Sequence, residues 1–72
     1  MAEIIEMYLS EASARRALTQ ISPPPDGWLE IETVDGKEQP EWWIVAYPTE
    51  GSLAFEKWVS ANTPALKLIN PT

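Results

Sequence analysis

Apolar and polar positions alternate along Glu3 to Leu9, with Ile5, Met7 and Leu9 on one face and Ile4, Glu6 and Tyr8 on the other. This period of two predicts a strand. Ser10 then supplies an N-cap, and Glu11 stands in a first turn where the helix dipole favours a carboxylate. From there to about Ile21 the period lengthens: Ala14, Ala17, Leu18 and Ile21 gather on one side, with Glu11, Arg15, Arg16 and Thr19 opposite. This is an amphipathic helix with its apolar side toward a sheet. Pro23, Pro24 and Pro25 end it, and Asp26-Gly27 provides a turn.

Alternation returns from Trp28 to Val34, with Leu29 and Ile31 on one face and Trp28, Glu30 and Glu32 on the other, and Asp35-Gly36 marks the next turn. Trp42 to Tyr47, dense in aromatic and β-branched residues, is the strongest strand signal. Thr49 is placed to cap a second helix running to about Asn62, whose apolar arc is Ala54, Phe55, Trp58 and Val59. Ala65 to Asn70 reads as a last strand. The two halves also share letters: Ile5 with Ile44, Tyr8 with Tyr47, Ser10 with Thr49, Glu11 with Glu50, Ala12 with Gly51 and Ser13 with Ser52. The expected fold is therefore α+β, a ferredoxin-like split βαβ sandwich in the order β-α-β-β-α-β. Its four-stranded antiparallel sheet, ordered 4-1-3-2, carries two helices on one face.

In that fold the helices cover Ile5, Met7, Leu9, Leu29, Ile31, Trp42, Ile44, Ala46, Leu66 and Leu68. The other face of the sheet then presents Ile4, Tyr8, Trp28, Trp43, Val45, Tyr47 and Ile69. The alternative orientation of the third strand exchanges Trp42 and Ile44 with Trp43 and Val45 and leaves an apolar patch in either case. Such patches mark interaction surfaces, and Trp and Tyr are the residues in which interfaces concentrate their energy.

Length, charge and missing residue types narrow the function. Seventy-two residues suffice for one domain, residues 1–72, with a small core. Cysteine and histidine are both absent, which removes disulfides, thiolate nucleophiles, the common zinc sites and the most frequent general acid-base group. The expectation is a non-catalytic protein with no cofactor and no metal. The net charge of −6 opposes direct nucleic-acid binding. The opening residues carry no basic segment followed by an apolar stretch, and no run is long enough for a bilayer. We expect no membrane partner and a cytoplasmic location.

The charge is concentrated. Asp26, Glu30, Glu32, Asp35, Glu38 and Glu41 fall on the second strand and its flanking loops, opposed there by Lys37 alone. A carboxylate-rich hairpin discourages edge-to-edge aggregation, and it also suits a basic partner. The residues expected to meet a partner are Tyr8, Trp28, Trp43, Val45, Tyr47, Glu30, Glu32, Asp35 and Glu38. Rings on central strands are similar to those of RNA recognition motifs, but those surround their rings with Lys and Arg, whereas Glu6, Glu30 and Glu32 stand here. In size, acidity and compactness the chain resembles small phage-encoded inhibitors such as anti-CRISPR proteins, which implies a protein partner in nucleic-acid-handling machinery. The competing expectation is a homodimer with stacked open faces, similar to ACT-like domains and dimeric α/β barrels, holding a small regulatory molecule.

Overall fold

The computed structural model describes residues 2–34, 38–49 and 52–71. Its elements follow in the order β1 (Glu3–Tyr8), α1 (Glu11–Leu18), β2 (Gly27–Val34), β3 (Glu41–Pro48) and α2 (Leu53–Ile69). The sheet has three strands in the order β1-β3-β2, and β3 pairs antiparallel with both neighbours. β1 and β2 thus run parallel on either side of β3 and are joined through α1. Ile5, Tyr8, Ile44 and Ala46 from the sheet form one buried cluster with Ala14 and Ala17 of α1 and Phe55, Val59 and Leu66 of α2. Both helices therefore cover the same face of the sheet.

The four-stranded β-α-β-β-α-β sandwich expected from the sequence is not formed, because residues 65–69 continue α2. Helical spacing explains this. Phe55, Val59, Asn62, Leu66 and Ile69 recur every three or four residues, and this stripe runs unbroken past Pro64. Alternation would have buried Leu66 and Leu68 together, whereas Leu66 is fully buried and Leu68 is 85% exposed. Pro64 removes the backbone bond to the carbonyl of Ser60, but both residues are exposed, so that oxygen is left to the solvent side of the helix. Ile69, expected on the open face, packs at the margin of the core instead.

The resemblance between the two halves does not extend to their helix starts. Ser10 caps α1, its Oγ accepting from the Ser13 amide at 3.1 Å. The matching Thr49 is not a cap: its amide donates to the Asp26 carbonyl at 2.7 Å, and Ser52 caps α2 by accepting from the Phe55 amide. Ser52 Oγ also donates to Asp26 Oδ2 at 2.7 Å, tying the start of α2 to the turn before β2. Asp26 holds that turn with φ of 56°, a left-handed conformation that Asp tolerates better than most residues. Next to it, Gly27 lies so close to the Phe55 ring and the Tyr47 carbonyl that a Cβ there would overlap both. The turn expected at Asp35-Gly36, with Lys37, and the paired positions Glu50 and Gly51 lie outside the described residues.

A second correction concerns β1. Ile4 is opposite Val45 and Glu6 is opposite Ile44, so Ile5 is an extra residue on this strand. Beyond such a bulge the alternation changes faces. Ile5 remains in the core, but Met7 turns to the open face and Tyr8 enters the core, where it is fully buried. Leu9, expected in the core, lies beyond the strand and is exposed.

Candidate interaction surface

The face of the sheet without helices is built in three rows by the strand register. Tyr47 lies opposite Trp28; Val45 has Ile4 on one side and Glu30 on the other; Trp43 lies between Met7 and Glu32. The face is apolar along β1, aromatic along β3 and acidic along β2. Trp42, with Ile44, points to the opposite side and packs against the core.

Each ring on this face is tied to a carboxylate. Trp28 Nε1 donates to Glu30 Oε2 at 2.7 Å, and Trp43 Nε1 donates to Glu41 Oε1 at 3.0 Å. In both, ring and acid are two apart on one strand, the spacing at which side chains share a face. Tyr47 Oη donates across the sheet to Glu32 Oε2. Tyr47 and Glu32 flank the Val45–Glu30 row, so this bond passes over it. That accounts for Val45 being only 3% exposed on a face that no helix covers. Trp28 stacks on Tyr47 with ring centres 5.4 Å apart and planes 10° apart. Trp28 is nevertheless 47% exposed, and Ile4 is 52% exposed.

The expected partner-binding residues separate accordingly. Trp28, Trp43, Val45, Tyr47, Glu30 and Glu32 share one face, with Val45 as its buried centre. Tyr8 does not join them. Its hydroxyl donates to the carbonyl of Leu66 at 2.8 Å inside the core. Burial first, and the nearby Glu6 charge second, raise the Tyr8 pKa above its ordinary value. Glu38 is exposed in the segment leading to β3, and Asp35 lies outside the described residues. Met7 was missed as a member of the face because nothing in the alternation of β1 announces the bulge. Glu41 could have been found from its spacing to Trp43.

Neither Glu30 nor Glu32 pairs with a cation among the described residues; the ion pair found there joins Arg15 to Glu11 on α1 at 2.6 Å. Nor do those residues hold a group of three or more carboxylates arranged for a metal ion. A shallow hollow lies on the helix side of β2, between that strand and the end of α1, lined by Leu18, Ile21, Pro23, Pro24, Gly27 and Leu29. Among the described residues no helix is long and apolar enough to cross a membrane. No protein-family model, curated protein or solved structure matches the chain.

Proposed function

We propose that this chain is a non-catalytic protein-binding module that meets a basic partner with the open face of its sheet and the acidic β2 side of that face. The observation that carries this reading is the coupling of every described ring on the face to a carboxylate. The hydrogen bonds orient Trp28, Trp43 and Tyr47 before any partner arrives, and the carboxylates of Glu30 and Glu32 keep further acceptor positions. A ring with a carboxylate beside it suits a Lys or Arg side chain, which gains the ring's negative face and a charge-assisted hydrogen bond together. A surface that otherwise handles phosphate is a partner of this chemistry, and inhibition by occupying it is the mode of action the reading implies.

Two copies stacked with β2 over β2 would bring Glu30 and Glu32 of each against those of the other, and like charge disfavours that arrangement. The test combines solution mass with capture. Light scattering across a dilution series should give a monomer. The wild-type chain should retain a specific protein from a lysate of its source cells, and both Trp28→Ser and Glu30→Lys should lose it while keeping the native circular dichroism spectrum. A stable dimer that shields Trp28 from a soluble fluorescence quencher would overturn the reading.

A further inference from the structure

The two outer edges of the sheet are finished differently. β1 is interrupted by its bulge, and Asn70 Nδ2 donates to the Met7 carbonyl at 2.8 Å. These are the devices by which proteins blunt an edge. β2 has neither. Its eight residues pair with β3 in unbroken register from Gly27 to Val34, with no bulge and no proline.

Hydrogen-bonded and non-hydrogen-bonded pairs alternate along an antiparallel ladder. The Thr49 amide bonds to the Asp26 carbonyl, which places Trp28, Glu30 and Glu32 among the residues bonded to β3. Gly27, Leu29, Ile31 and Thr33 then direct their amides and carbonyls away from the sheet. Pro48, opposite Gly27, fits this assignment because its position needs no amide toward β2.

The core is also unfinished beneath this edge. Leu29 and Ile31 of β2, with Leu18 at the end of α1 and Ile21 after it, are partly buried apolar residues at its margin. Leu18, Ile21 and Leu29 line the hollow between the helix end and the strand. On the other side of the same strand stand Glu30 and Glu32. The edge thus offers backbone groups with no partner among the described residues, an apolar strip toward the helices and an acidic strip toward the open face.

We infer that β2 accepts an added strand from the partner: an extended segment in which apolar residues alternate with Lys or Arg. This rests on the reading of the chain as a module for a basic protein and specifies how that protein docks. The apolar side chains complete the core margin, and the basic ones face Glu30 and Glu32. A second copy of this chain does not fit. Pairing β2 with itself antiparallel sets Glu30 and Glu32 opposite or diagonal to their own counterparts, and like charges across a strand pair repel.

The probe is a short capped peptide of alternating valine and lysine, added in excess to the full chain while amide exchange is followed by NMR. Exchange at Leu29, Ile31 and Thr33 should slow by about tenfold or more as their amides gain partners. The same peptide N-methylated at alternate residues on its pairing edge should produce no protection, and neither should its valine-glutamate counterpart. The double variant Glu30→Lys and Glu32→Lys should reverse the preference toward the acidic peptide. Unchanged exchange at the three amides overturns the inference. If the indole signals of Trp28 and Trp43 shift nonetheless, docking on the open face survives without the added strand; if they too are silent, the basic partner is lost with it.

Discussion

A single phenol illustrates how local chemistry and the fold are joined. Tyr8 is the largest fully buried side chain of the core, and its hydroxyl satisfies the Leu66 carbonyl. That oxygen lies in the last turn of α2, where the Asn70 amide turns to Lys67 instead. Tyr8→Phe would leave it without this donor and should lower stability by about 1–3 kcal/mol in denaturant titration. The raised pKa also sets a pH dependence. The folded state holds the phenolic proton more tightly than the unfolded chain does. The resulting stability is fully present below the ordinary value of 10.0 and is lost as pH rises through the folded value. Wild-type protein should therefore lose more stability than Tyr8→Phe between neutral pH and strongly alkaline solution. Equal losses would show that Tyr8 ionises alike in both states. Trp58 presents the converse case, since its indole N–H is buried without a hydrogen-bond partner among the described residues.

At the scale of elements, α2 carries the main departure from expectation. A proline in a helix interior is normally read as a stop, and apolar residues just beyond it suggest a strand. Here the register of the apolar stripe outweighs the local penalty, because continuing the helix delivers Leu66 to the core and its carbonyl to Tyr8. Asn62 and Thr63 help at the weak point, their side chains donating to the Trp58 and Val59 carbonyls at 2.9 and 2.7 Å. Since Pro64 is on the outward face, Pro64→Ala should restore the missing backbone bond without disturbing the core. Thermal unfolding monitored by circular dichroism should show a higher Tm, equivalent to a stabilisation of about 1–3 kcal/mol. A fall in Tm would mean that Pro64 is needed for Leu66 to reach its site.

Across the whole molecule, charge is divided between the layers. The described cations Arg15, Arg16, Lys57 and Lys67 are all on the helices, whereas the strands carry Glu3, Glu6, Glu30, Glu32 and Glu41 and no cation. A basic partner of the kind proposed would consequently be drawn to the sheet layer and turned away from the helix layer. Binding should weaken steeply as the screening length shrinks from about 30 Å at 0.01 M salt to about 3 Å at 1 M. Lys57→Glu, on the distant layer, should change affinity little, and calorimetry over a salt series measures both effects. Affinity that does not vary with salt would remove charge as the basis of recognition.

The order of the first four elements, the cap at Ser10, the division of Trp42 from Trp43 and the grouping of Glu30 and Glu32 with exposed rings were all legible, because each follows from side-chain periodicity or cap chemistry within a few residues. The sequence alone also determined the acidity of the β2 region and the absence of thiol and imidazole chemistry. Only the tertiary structure decided that Tyr8 is core and Met7 is surface, because a bulge is a relation between strands and leaves no mark in one of them. It likewise decided that residues 65–69 are helix. Alternation and helical spacing both place Leu66 inward over so short a stretch, and the choice rests on what Leu66 packs against.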